Sequence, residues 1–101
     1  MKMYQLIWRY ECSASQKEAF ENAYRRNGTW FQFFEKSEDF LGQELIHNVD
    51  MGNYLVIDSW ISKETYDSFL KENKVEYDQL DAQCKSLYAK EEFLGPFVTV
   101  E

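Results

Sequence analysis

Tyr54-Leu55-Val56-Ile57-Asp58-Ser59-Trp60-Ile61 is the stretch that decides how this chain folds. Its β-branched and aromatic residues suit a pleated surface, and side chains along a strand alternate between faces. Tyr54, Val56 and Trp60 therefore share one side, and Leu55, Ile57 and Ile61 share the other. A sheet with one wet face alternates apolar with polar, so a strand of this kind is covered twice. Asp58 lies between Val56 and Trp60 on the first side, where an ionised carboxylate is costly without a partner and its pKa tends upward.

Working outward, Asp50-Met51-Gly52-Asn53 is a turn, and Phe40 to Val49 is an extended stretch that pairs back as a hairpin. Further upstream, Met3 to Tyr10 alternates Tyr4, Leu6, Trp8 and Tyr10 against Gln5, Ile7 and Arg9, which reads as the first strand. Ser15 and Glu18 have the spacing of a capping box, and Phe20, Ala23 and Tyr24 follow at helical spacing. Asn27-Gly28-Thr29 breaks that helix, with Thr29 expected to cap a new turn carrying Trp30, Phe33 and Phe34. Downstream, Ser62 caps a helix with Glu64 in its first turn. Tyr66, Phe69, Leu70, Tyr77, Leu80, Cys84, Leu87 and Tyr88 then predict one long amphipathic helix of more than five turns. Leu94 to Val100 is the last strand, and Pro96 marks it as an edge strand or a bulge.

The order is that of an α+β ferredoxin-like βαββαβ sandwich: a four-stranded antiparallel sheet with its helices on one face. The other face is left for a second copy, so a homodimer is expected. With 101 residues, the chain reads as a single domain spanning 1–101, and 45% hydrophobic with 18% aromatic residues marks it as folded. Eighteen acidic against 11 basic residues give a net charge of -7, which argues against nucleic acid and membrane surfaces as partners. Neither a secretory signal nor a membrane-length apolar run is legible, and the expected location is cytoplasmic. Cys12 and Cys84 have no CxxC spacing and read as reduced thiols, while the lone His47 excludes any site that needs two histidines.

Taken in order, several segments bear a likeness to a known family. They are Ile7-Trp8-Arg9-Tyr10, Gly28-Thr29-Trp30 leading to Phe34, Phe40-Leu41-Gly42-Gln43-Glu44-Leu45, and Tyr54 with Asp58-Ser59-Trp60; then Ser62 to Phe69, Tyr77 with Leu80-Asp81, and Leu94-Gly95-Pro96-Phe97. Across nearly its whole length the chain resembles the antibiotic biosynthesis monooxygenase domain proteins of the dimeric α/β barrel superfamily. The resemblance implies two sheets face to face and, in each subunit, a pocket between sheet and helices. It further implies oxidation of an aromatic polyketide or quinol by dioxygen with no metal or flavin, since the electron-rich substrate supplies the electrons. The haem-degrading relatives carry a histidine on the helix after the strand tryptophan; Tyr66-Asp67-Ser68-Phe69-Leu70 supplies none here.

The candidate catalytic residues are Asp58, as general base, and Trp60, which closes the third strand where relatives often have a pocket-lining tryptophan. Trp8, Tyr10, Tyr66 and Tyr77 are the candidate substrate-binding residues, able to hold a phenolic ligand by stacking and hydroxyl contacts. Each has a plain structural counterpart: an aromatic core, or an Asp58 paired with Arg9 or a tyrosine hydroxyl. Arg9 lies on the opposite strand face from Trp8 and suits a dimer contact, and His47 reads as a surface or interface residue. Two other functions share this framework: a noncatalytic dimeric small-molecule-binding or stress-associated domain, and an isomerase or decarboxylase with Asp58 as base.

Overall fold

The computed structural model describes residues 2–101. Strands β1 (Tyr4–Glu11), β2 (Phe40–His47), β3 (Tyr54–Trp60) and β4 (Lys90–Val98) form one sheet in the order β2-β3-β1-β4, with every neighbouring pair antiparallel. Helices α1 (Lys17–Tyr24) and α2 (Thr29–Phe34) join β1 to β2. Helices α3 (Lys63–Glu72) and α4 (Lys74–Cys84), followed by a 3-10 turn at Lys85–Leu87, join β3 to β4. The ferredoxin-like order read from the sequence is the order observed, with each helical connection divided in two.

β3 is an interior strand, as its apolar character requires. Tyr54, Val56, Asp58 and Trp60 are all buried beneath the helices, and Leu55, Ile57 and Ser59 are half-buried on the far side. The hairpin before it is tied by Asn48, whose side-chain oxygen accepts from the backbone N–H of Asp50 at 3.0 Å and of Met51 at 2.9 Å. Gly52 takes the positive φ of 78° that closes the turn. β4 is an edge strand, the first of the two readings of Pro96. Pro96 itself pairs with Leu6, and the bulge lies two residues before it, where Ile7 pairs with Gly95 and Trp8 with Phe93, leaving Leu94 as the extra residue. It begins earlier than the apolar pattern indicated, because Lys90, Glu91 and Glu92 pair with Glu11, Tyr10 and Arg9 although they are polar.

Three local expectations are corrected. The Ser15–Glu18 capping box does not form. A tight turn from Ser13 to Gln16 occupies Ser15, whose hydroxyl is 3.0 Å from that of Ser13, and α1 starts one turn position later. Thr29 is the first residue of α2 and not its cap. Gly28 takes the cap position, where a Cβ would lie 2.5 Å from the Asn22 carbonyl oxygen and 2.8 Å from that of Arg25. Lastly, the long helix is broken at Asn73, whose backbone leaves helical geometry (φ -120°, ψ 27°) and whose side-chain amide donates to the Phe69 carbonyl at 2.9 Å. An asparagine offers such local competition to the helical ladder, and it stands where the apolar series skips from Leu70 to Tyr77. The cap of α3 is stronger than Ser62 alone suggested, because Thr65 completes a capping box with it.

The face away from the helices is only partly apolar. Ile7, Leu55 and Ile57 form its half-buried centre, flanked by exposed Ile46, Leu94 and Phe97. Gln5 and Ser59 hydrogen-bond across it at 3.1 Å, and Arg9 forms an ion pair with Glu92. Arg9 is thus committed to the side opposite Asp58.

Candidate active site

Between the sheet and the helices lies a cavity of about 140 Å³, and every one of the eight strands and helices supplies part of its wall. The floor is the helix-side face of the sheet: Trp8 and Tyr10 from β1, Gln43 from β2, Val56 and Asp58 from β3, and Glu91 from β4. The register explains this grouping, since Gln43 pairs with Asp58, Trp8 with Val56 and Tyr10 with Glu91, and cross-strand partners share a face. The roof is Tyr24 from α1, Trp30 and Phe34 from α2, Tyr66 from α3, and Tyr77 with Asp81 from α4. The break at Asn73 falls between Tyr66 and Tyr77, which a straight helix would separate by about 16 Å along its axis. Both nevertheless reach the same small space.

Asp58 is the chemical centre of the floor. It is 6% exposed, and its Oδ1 has no hydrogen-bond partner among the described residues. Burial raises its pKa from the ordinary carboxylate range to about 7, while the Gln43 side chain across the ladder pulls the other way. Gln43 is itself only 2% exposed, with Oε1 unpartnered. The two residues thus offer unsatisfied acceptors side by side. The two pairings that would have made Asp58 structural are not observed among the described residues: Arg9 is on the far face with Glu92, and the tyrosine hydroxyls that donate to carboxylates, Tyr10 and Tyr54, go to Glu91 and Glu21.

The tyrosines around it hold their protons firmly. Burial raises the pKa of Tyr66 well above the phenolic range, with Tyr77 and then Asp58 adding to the shift, and Tyr77 is pushed up to about 12 by burial, Asp81 and Asp58. Tyr10 is likewise raised, first by burial, and donates to a Glu91 carboxylate oxygen at 2.7 Å. At neutral pH these groups are hydrogen-bond donors. Among the described residues, no lysine, arginine or histidine lines the cavity.

Five of the six candidate residues read from the sequence, namely Asp58, Trp8, Tyr10, Tyr66 and Tyr77, meet in this cavity. Trp60 does not. It is fully buried behind the wall, with its ring 5.5 Å from Tyr66 and 5.3 Å from Phe69, so it supports Tyr66 instead of facing the space. His47 is exposed at the end of β2 against Tyr54, away from the cavity. The sequence reading missed Tyr24, Trp30, Phe34, Gln43, Asp81 and Glu91. Gln43 left a signal, being a polar residue amid the apolar positions of a strand paired to β3.

The same architecture is found in solved structures. A mutant of SnoaB from Streptomyces nogalater, a cofactor-independent oxygenase, matches 98% of this chain and 92% of its own with a TM-score of 0.72 at 15% identity. The chain has the fold of the antibiotic biosynthesis monooxygenases. A proposed monooxygenase of that name from Chloroflexus aurantiacus matches over 98% of this chain and 92% of its own (TM-score 0.63, 18% identity). A dimeric ferredoxin-like protein from an uncultured marine organism matches over 99% and 89% (TM-score 0.66, 12% identity). No protein-family model and no curated protein matches the chain. The resemblance seen in the sequence thus holds for the monooxygenase fold.

Proposed function

We propose that the chain is a cofactor-independent oxygenase of small aromatic compounds, quinols among them, acting in the cavity around Asp58. The observation that carries this reading is a buried carboxylate with an unpartnered oxygen, poised near neutral pH, on the floor of an aromatic chamber. Ionised Asp58 takes the proton of a bound phenolic hydroxyl, a transfer suited to a base whose pKa lies near the operating pH. The phenolate is then electron-rich enough to reduce dioxygen. A carbon–oxygen bond forms at a ring carbon bearing hydrogen, that carbon loses its proton, and the peroxide O–O bond breaks with loss of water. For a quinol, one dioxygen is consumed, one oxygen atom stays on the ring as a new oxygen substituent, and the other leaves as water; the ring is oxidised to the quinone level, so no external reductant is needed. The Tyr66 and Tyr77 hydroxyls hydrogen-bond the developing oxyanion, and the dry aromatic wall strengthens those contacts. Trp60 acts through Tyr66, as a positioning residue.

The assembly that suits this reading is a homodimer in which the second faces of two sheets meet as a barrel. Support comes from the apolar centre at Ile7, Leu55 and Ile57 and from the dimeric neighbour. Dioxygen uptake tests the chemistry. Purified protein given a series of hydroquinones and naphthoquinols, from one ring upward, is expected to consume oxygen, and Asp58→Asn to lower the rate at least a hundredfold. Tight binding with no uptake for the whole series favours instead a small-molecule-binding domain.

A further inference from the structure

The chamber carries an asymmetry of charge that the oxygenase reading does not use. Among the described residues, three carboxylates, Asp58, Asp81 and Glu91, line it, and no cationic side chain does. They lie at different depths: Asp58 is buried in the floor, Asp81 is half-buried on α4, and Glu91 is exposed on β4. Glu91 already holds the Tyr10 hydroxyl through one oxygen. Around them stand electron-rich rings, including Trp8, Trp30 and Tyr77, whose faces attract cations. An anionic ligand entering here would meet like charge at the rim and again at the base, within a molecule of net charge -7.

We propose that this cavity selects one-ring aromatic compounds bearing a cationic amine, with the ring held inside over Asp58 and the ammonium at the rim between Asp81 and Glu91. The volume sets the ring count. About 140 Å³ is close to the roughly 150 Å³ of an apolar cavity that admits benzene, and well short of a fused three-ring system. The unpartnered Asp58 oxygen is a second, separate pointer to a ligand, since a buried acceptor left empty costs free energy that a hydroxyl donor would recover. An organic cation is favoured over a metal ion. Among the described residues no three His, Cys, Asp or Glu side chains converge as metal ligands do.

This inference takes its orientation of the ring from the oxygenase reading, but its test does not depend on turnover. The probes are tyramine, its neutral alcohol counterpart tyrosol, and the anion 4-hydroxyphenylacetate, which share one phenol ring and differ in the charge of the tail. Binding is followed by calorimetry at low salt. Tyramine is expected to bind at least tenfold more tightly than tyrosol, and 4-hydroxyphenylacetate more weakly than either. The double variant Asp81→Asn, Glu91→Gln, checked for an unchanged circular dichroism spectrum, is expected to remove the preference of tyramine over tyrosol while retaining tyrosol. Equal binding of the three probes, a preference for the anion, or no tyramine binding at millimolar concentration would overturn the proposal. If the variant keeps the full preference, the rim carboxylates are not its source and the proposal also fails. Absence of dioxygen uptake with a retained charge preference would sink only the oxygenase reading. Uptake with the anion bound best would sink only the charge preference.

Discussion

At Asp58, stability and the proposed chemistry pull against each other. Its folded-state pKa of about 7 is raised above the ordinary carboxylate value, so the folded protein binds its proton more tightly than the unfolded chain does. Stability from this residue is therefore greatest below about pH 4, declines as pH rises towards 7, and is level above that. The decline is on the order of 4 kcal/mol, since each tenfold change in proton affinity is worth about 1.4 kcal/mol. Denaturant unfolding of the wild type at pH 4 and pH 8 should show this loss, and Asp58→Asn should abolish most of it. The proposed catalysis runs the other way. The base must be ionised, so oxygen uptake should rise through about pH 7, and the facing Tyr66 and Tyr77 hydroxyls stay protonated across that window. Gly28 is the contrasting case. Gly28→Ala would press a methyl group onto the Asn22 and Arg25 carbonyls, and a loss of about 1–3 kcal/mol in denaturant unfolding is expected, with little effect on ligand binding.

Elements were legible where side-chain periodicity and backbone agreed. β3 stood out because every residue from Tyr54 to Ile57 is apolar and its two faces are equally dry in composition. The break in the second helical connection is not legible in the sequence, because Leu70 and Tyr77 remain in phase on a single helix and a period count does not see one backbone position. Asn73 was the only visible clue. The start of α1 is hidden for a related reason, since Ser15 has a capping residue's chemistry but lies inside the turn made by Ser13 and Gln16. The cavity was half legible. Asp58, Trp8 and Tyr10 follow from strand parity, whereas the depth that hides Trp60 and exposes Tyr66 depends on where α3 crosses the sheet. Ser62 supports that crossing. Ser62→Ala removes both side-chain contacts with Thr65, and a loss of about 1 kcal/mol is expected in thermal or denaturant unfolding.

For the whole molecule, the unpaired sheet face is the feature with the largest consequence for assembly. Exposed Ile46, Leu94 and Phe97 around half-buried Ile7, Leu55 and Ile57 form an apolar field that the Arg9–Glu92 pair and Gln5 interrupt. The proposed homodimer places this field against its own copy. Ile57→Lys puts a charge at its centre, and analytical ultracentrifugation should then report a monomer where the wild type sediments as a dimer. If the wild type also sediments as a monomer, the barrel is not formed. Two further properties act at this scale. No helix among the described residues is long and apolar enough to cross a membrane, and the net charge of -7 biases encounters towards cations.

Pro96 adds a last restraint. A proline fits an outer strand only where its nitrogen faces away from the neighbouring chain, and on β4 it is joined by the extra residue Leu94. The opposite border of the sheet, β2, is also irregular, with its register shifting between Phe40 and Gly42. Neither border is a straight row of donors and acceptors on which a foreign strand could be templated. Both borders thereby resist the edge-to-edge growth that builds fibrils, which leaves the flat side as the surface on which the proposed homodimer would close.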